Sequence, residues 1–494
     1  MPRFVRDLKM RMLIMILLVS LLQAAKVGAQ SSTYPAPSNL GDPANLGRGI
    51  QRTMTLLETS DPQHRNTVRI LLYGQSITAG QWGVQLEQHL RQEYPDANLI
   101  YERRPLSGFA TERLVKTAEA DLYPFYADLV IFHDYGNNED YESMIRRLRE
   151  QTTAEVIIQT DHLRRNEQPI DETNPDLLTD RSQRSAADRN YRFLPMVAHK
   201  YGCAIDGRRN LWKDYLREHH LAAGDLLNDD VHPNGHGTFL MTELIKAFLV
   251  KRDDVELDPM NCGYVTTYEV GDVIKLSGDR LEFEFEGNRV DAIFSDRAKA
   301  NETVDALLDG SPPLDDPSML YHGRNRVKWR DTDIPPGPWP PVMKMSFKQP
   351  LLQEQWTLQA KRNAADPEVY EFTVRGSVTG EDGVGRTDQS FVSPSGRVVI
   401  EPEDWDIQFS IVALRRLKEA PEDFQIDWNV QTQAVNVLTP PETVPGVERV
   451  VTVAQRLADQ RHVLQLSGDV AGVKAIRVYS PSKFPRPANR QTAE

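Results

Sequence analysis

An α/β domain built on a mainly parallel sheet, followed by a β-sandwich region, is the fold class this sequence predicts. Three observations carry it. Between residues 65 and 252, short apolar runs alternate with helical stretches, a pattern that requires crossover connections and a sheet covered on both faces. From 256 to 494 the period becomes two: Leu281, Phe283 and Phe285 alternate with Glu282, Glu284 and Glu286. A chain of 494 residues, 40% apolar and 26% charged, is long enough and apolar enough for more than one buried core.

The elements follow in order. Arg3, Arg6, Lys9 and Arg11 precede an apolar run from Met12 to Leu22, and Val27-Gly28-Ala29 then supply small residues. This is the layout of a secretory signal peptide over 1–29, too short to span a bilayer. The expected product is secreted or periplasmic, with no membrane contact once the leader is cleaved. Residues 30–64 are polar and rich in Pro, Ser and Asn, and read as a lead-in segment. Strands are expected at Val68–Tyr73, Asn98–Glu102, Leu129–His133, Val156–Thr160 and Cys203–Asp206. Helices are expected at Val84–Gln92, Tyr141–Glu150, Ala186–Tyr201, Leu211–Glu218 and Gly237–Val250. In the β-rich half, short runs at 369–374, 397–400, 463–466 and 475–479 are separated by Gly, Pro and Asp clusters. They make one jelly roll with an insertion, or two sandwiches.

Composition excludes several functions. A net charge of −13 argues against nucleic acid, which demands a basic face. Two cysteines, Cys203 and Cys262, are too few for a disulfide scaffold or a Cys-based metal site, although export leaves their pairing open. No Walker-type loop and no complete GxGxxG are present, and no cofactor is expected.

Ligands on parallel sheets bind beyond the carboxyl ends of the strands, so the residues after each run are the candidates for a site. The first strand runs into Gly74-Gln75-Ser76-Ile77-Thr78, which places a serine at that edge; a helix N-cap is an equal reading for it. The second is followed by Ser107-Gly108-Phe109, whose Gly108 N–H is able to face an oxyanion. The third leads to Gly136-Asn137-Asn138-Glu139, with a side-chain amide that suits the same purpose or a cap. Before the last helix stand Asp229-Asp230-Val231-His232. An Asp three residues before a His curls back to its ring nitrogen, and Asp229 has that offset. Asp229, Asp230, His232 and His236 also cluster as a metal site would. Pro233-Asn234-Gly235 between the histidines suits a zinc helix poorly, so no metal is expected.

Taken in order, these four blocks resemble the SGNH (GDSL-like) hydrolase family. The resemblance implies a three-layer α/β/α, flavodoxin-like domain, with Ser76 as nucleophile, His232 as base and Asp229 as its orienting carboxylate. It implies an oxyanion hole from Ser76, Gly108 and Asn138. Gln75 stands where the family usually has Asp, which is similar to the GQS variant among its sialate and xylan acetylesterases. The implied activity is a secreted serine esterase that removes acetyl or similar acyl groups from a glycan. Gln75, Trp82, His133, Asp161, His162 and Arg164 are the expected substrate contacts. Arg164 and Arg165 suit a uronic acid or sulfate, or else a solvated surface loop, which is the commoner setting for such residues, and Trp82 suits a sugar face or the core. Two alternatives remain open. One is a glycosidase on the same fold, using Asp134, Asp161 or Glu139. The other is a non-catalytic carbohydrate-binding protein.

Overall fold

Alternation along the strands decides the first layer arrangement. In β1 (Thr67–Gly74), Val68, Ile70 and Leu72 join one apolar cluster while Leu71 and Tyr73 join another. The same division recurs in β3 (Leu129–His133) and β4 (Glu155–Gln159). With β2 (Asn98–Pro105) and β5 (Ala204–Asp206) they form a five-stranded parallel sheet of order β2-β1-β3-β4-β5. Helices cover both faces, so the domain has three layers. In a sheet of this order the crevice opens where chain direction reverses, between β1 and β3.

The structure is a computed structural model and describes residues 33–271, 273–328, 339–413 and 417–485. The expected leader over 1–29 lies outside the described residues. The described residues from Asn39 onward belong to one compact unit.

The segment read as a lead-in contains a helix, α1 (Gln51–Glu58), and its Met54, Leu56 and Leu57 are buried in the core. The Glu155 carboxylate accepts hydrogen bonds from Arg52 N and Thr53 N, both at 2.8 Å, and so caps the positive end of the helix. α2 (Trp82–Glu93) lies on the same face. A further helix, α3 (Thr111–Asp121), has no counterpart in the sequence expectation. α4 (Asn138–Gln151) falls close to its expected place. The helix expected over 186–201 is divided into α5 (Arg181–Asp188), a π-helical turn (Arg189–Phe193) and α6 (Leu194–Tyr201). α7 (Arg208–Glu218) and α8 (Gly235–Phe248) complete the domain. Cys203 and Cys262 are both free thiols, and burial pushes the Cys203 thiol up to about 11.

The second half is antiparallel. A seven-stranded sheet is built from residues on both sides of a long insertion. β6 (Arg280–Phe294) pairs with β9 (Arg449–Gly468), and β7 (Val304–Leu308) pairs with β8 (Val437–Leu438). Between β7 and β8 the chain makes a six-stranded sheet with its own core around Trp356, Phe372 and Trp428. The expected alternation holds: Leu281, Phe283 and Phe285 are buried and the glutamates between them exposed.

Charged residues of α3 meet the inserted part. Arg113 pairs with Asp406 at 2.7 Å, Lys116 with Asp404 at 3.0 Å and Asp121 with Arg324 at 2.6 Å. This explains why α3 escaped the apolar period: its polar face binds another part of the chain. For α1, Met54→Ala is expected to lower unfolding stability by about 2–5 kcal/mol, measured by urea denaturation. A segment that merely leads into the domain would show no loss.

Candidate active site

Gly74 ends β1 with φ +152°, directly in register with His133 of β3. A Cβ there would stand 2.1 Å from the His133 carbonyl oxygen and 2.6 Å from Thr78 Oγ1, so only glycine permits the approach. The chain then turns through Gln75–Thr78 and presents Ser76 half-buried at the edge. Trp82 Nε1 donates to the Ile77 carbonyl at 2.6 Å and pins the turn from below.

Three more loops meet Ser76 or flank it. Leu106 N donates to Gly74 O at 2.8 Å, and Thr111 N to Tyr135 O at 2.9 Å, which ties the loops after β1, β2 and β3 together. Gly108 has φ +80°. Trp339, far along the chain, donates from Nε1 to the Ser107 carbonyl at 2.8 Å, and Phe409 packs on Phe109.

Ser76 Oγ and His232 Nε2 are 2.8 Å apart, and His232 Nδ1 is 2.8 Å from Asp229 Oδ2. Backbone N–H groups of Val231 and His232 donate to Asp229 Oδ1 and, with the His232 ring, hold its carboxyl down to about 2. Asp229 is therefore ionised at neutral pH and fixes the proton of His232 on Nδ1, leaving Nε2 to accept from Ser76. His236 turns to the Tyr215 hydroxyl at 2.7 Å instead of joining His232. Among the described residues, no group of three or more His, Cys, Asp and Glu side chains is placed to hold a metal.

The His232 loop is strapped from the segment after β4. Arg165 donates from Nε to Asp229 O at 3.0 Å and from Nη2 to Leu227 O at 3.2 Å. His162 Nε2 donates to Val231 O at 2.6 Å. Burial pulls the His162 pKa down to about 3, so the ring stays neutral.

A second buried chain runs behind the serine. Gln75 Oε1 lies 2.8 Å from Ser76 Oγ, an alternative acceptor to His232 Nε2 for the one hydroxyl proton, and it accepts from Ile77 N at 3.0 Å. Its Nε2 donates to His133 Nδ1 at 3.0 Å, and His133 Nε2 donates to Asp161 Oδ1 at 2.9 Å. Asn190 Nδ2 donates to Asp161 Oδ2 at 3.0 Å. Burial pulls His133 down to about 4. Burial acts to raise Asp161, yet the hydrogen bond from His133, with the Arg189 charge and the Asn190 amide, holds it well below the usual range.

Asn137 caps α4 through Glu139 N and Asp140 N. That leaves Asn138 free of capping. Its Oδ1 accepts from Arg189 Nη1 at 2.5 Å. A guanidinium only donates, so the amide oxygen must face Arg189 and the NH₂ must point elsewhere. Arg189 also donates to the carbonyls of Asp134 and Gly136. Arg189 and Asn190 are neighbours in the π-helical turn, and the wider turn lets both reach the strand ends.

Several expected substrate contacts are corrected. Gln75, Trp82, His133 and His162 are between 1% and 5% exposed and sit behind the nucleophile turn or under the His232 loop. Gln75, Trp82 and His133 are closed off from a polymer, whereas His162 and Asp161 contribute to the wall of the crevice that carries Arg164. Asp161 has both carboxylate oxygens engaged. Arg165 is a strap, not an anion ligand. Arg164 is exposed on a crevice of about 810 Å³ that also takes in Asn138 and Tyr135. Arg189, Asn190 and Trp339 carried no signal in the sequence.

No protein-family model and no curated protein matches the chain. Solved structures align with it. A two-domain esterase (CEX) described as active on acetylated mannans covers 88% of this chain and 97% of its own, at 12% identity and a TM-score of 0.31. Axe2, an acetylxylan esterase from Geobacillus stearothermophilus, covers 38% of this chain and 96% of its own, at 16% identity and 0.31. LAE5, an α/β hydrolase enzyme from the metagenome of Lake Arreo, covers 38% and 97%, at 17% identity and 0.31. Likenesses this distant assign no activity, which rests on the geometry above.

The buried histidines give a pH signature. Both have folded pKa values below the ordinary 6.5, so the unfolded chain binds more protons than the folded one in the interval between. Their contribution to stability is complete above 6.5 and is lost as pH falls through about 4 for His133 and about 3 for His162. The melting temperature is expected to fall across that interval, and His133→Gln to flatten the fall above pH 4.

Proposed function

We propose that this chain is a secreted serine esterase that removes acetyl or similar acyl groups from a polysaccharide or oligosaccharide. The observation that carries the proposal is the unbroken series Ser76 Oγ, His232 Nε2, His232 Nδ1, Asp229, with both intervals at 2.8 Å. Its position at the β1/β3 edge beside an open crevice suits a large substrate.

In this mechanism His232 Nε2 takes the Ser76 proton as Oγ attacks the ester carbonyl. Asp229 stabilises the imidazolium. The oxyanion is held by the N–H groups of Ser76 and Gly108 and by the Asn138 amide, at about 3–4 kcal/mol per donor. As the tetrahedral intermediate collapses, its C–O bond to the sugar breaks and His232 gives the proton to the departing sugar oxygen; a water activated by the same ring then attacks the acyl-enzyme and releases the acid and Ser76. Gln75 Oε1 steadies the hydroxyl between turnovers but is no base. Arg189 is a positioning residue that turns the Asn138 NH₂ toward the oxyanion.

The carboxylates a glycosidase would use are poorly disposed. Asp134 is buried, and burial raises its pKa well above the usual range. Asp161 is engaged on both oxygens. Glu139 then lacks a partner from that set, and glycoside hydrolysis needs two.

Export is part of the proposal, and N-terminal sequencing of the exported protein should begin near residue 30. Ser76→Ala is expected to abolish hydrolysis of p-nitrophenyl acetate by correctly folded protein; retained turnover would sink the esterase. Asn138→Ala should lower kcat by roughly 10²–10³-fold. Arg189→Met should lower kcat as well, but add nothing in the Asn138→Ala background, because it acts through that amide. Additive losses would remove Arg189 from this role.

A further inference from the structure

The crevice beyond β3 and β4 carries a charge imbalance that the esterase chemistry does not use. Its carboxylates are all committed. Asp161 serves His133 and Asn190, Glu167 pairs with Arg209 at 3.1 Å, and Asp188 pairs with Arg192 at 3.2 Å. Two of its guanidiniums are not committed. Arg164 and Arg181 are exposed, line the crevice, and form no ion pair or side-chain hydrogen bond among the described residues. The chain offers 71 acidic residues against 58 basic ones, so unpaired arginines here do not reflect a shortage of partners.

Both side chains are mounted on ordered backbone. Arg164 N donates to Glu167 Oε2 at 2.8 Å, and Glu167 N returns a bond to Arg164 O at 3.0 Å. Arg181 opens α5, where a cation meets the positive end of the helix. The nearest carboxylate along the chain, Asp180, is engaged in capping Gln183 N at 2.7 Å. Tyr135 lies on the same crevice, 38% exposed, next to the Gly136–Asn138 loop. Its ring is an apolar platform within reach of a pyranose face, and the Arg164 charge acts on its hydroxyl.

We infer that the crevice selects acylated glycans that carry an anionic substituent, a uronate carboxylate or a sulfate ester, held by Arg164 and Arg181 beside the Tyr135 ring. Guanidinium forks match such flat or three-oxygen anions, and a crevice with no spare carboxylate leaves them unopposed. The proposal rests on the esterase reading of Ser76 and names the substrate class for it.

The test compares one polymer in two charge states, using the full exported chain. Acetylated polygalacturonate with free carboxyls is set against the same polymer methyl-esterified, and acetate release is followed. kcat/KM is expected to be at least about tenfold higher on the charged form at low salt, and the ratio to shrink as sodium chloride is raised. Arg164→Gln with Arg181→Gln should bring the ratio toward one through KM. A parallel arm uses an acetylated sulfated glycan and its desulfated form; a preference only there assigns the site to sulfate. Equal rates on charged and uncharged forms in both arms, or a ratio untouched by the double variant, overturn the inference while leaving the esterase intact. Acetate release that survives Ser76→Ala, or no release from any ester, overturns the esterase reading and this inference with it.

Discussion

The close meeting of β1 and β3 at Gly74 and His133 is the constraint on which the site depends. Without a side chain at Gly74, the two strand ends pair to their last residue, and the turn that follows has one direction left. Ser76 then rises at the point where sheet order reverses. The same contact buries His133 directly behind the serine, where Gln75 finds it. A methyl group at one position would therefore disturb nucleophile, strand pairing and support together.

What surrounds the triad is held from beneath more than from the side. Asp229 and His232 are largely exposed, with side chains 58% and 43% accessible, so their mutual attraction in solvent is modest. Their geometry comes from backbone: the strap of Arg165, the ring of His162 and the turn bonds at Asp229 fix the loop before any charge acts. The oxyanion side is treated alike. Asn138 is oriented by Arg189, and the Gly108 loop is backed by Trp339 and Phe409 from a different part of the chain. Rigid second supports of this kind are what precise acyl transfer requires.

The parallel sheet was legible because its strands alternate cleanly between two cores, and the four blocks were legible because three follow a strand directly and the fourth stands immediately before the last helix. Depth was not. His133, Gln75 and Trp82 stand beside the right edge in sequence, but nearness to a strand end does not say whether a side chain rises into the crevice or packs below it. α1 was hidden by the polar composition around it, and α3 by a polar face that binds Asp404, Asp406 and Arg324. Arg189 and Asn190 were invisible for a different reason. They act from a π-helical turn inside a segment that reads as one continuous helix, and their partners lie about 30 to 55 residues away. Trp339 acts across 232 residues, a separation that no local pattern records.

The nesting of one sheet inside another has a consequence for how the chain is made. β6 must wait for β9, because Phe294 pairs with Arg449. At roughly 5–20 residues per second, synthesis leaves that edge unpaired for about 10–30 seconds. During this interval Leu281, Phe283 and Phe285 form a bare apolar face with an open strand edge, the condition under which chains pair with one another. Glu282, Glu284 and Glu286 occupy the alternate positions. Their repulsion between identical strands would guard the nascent chain until its own partner arrives.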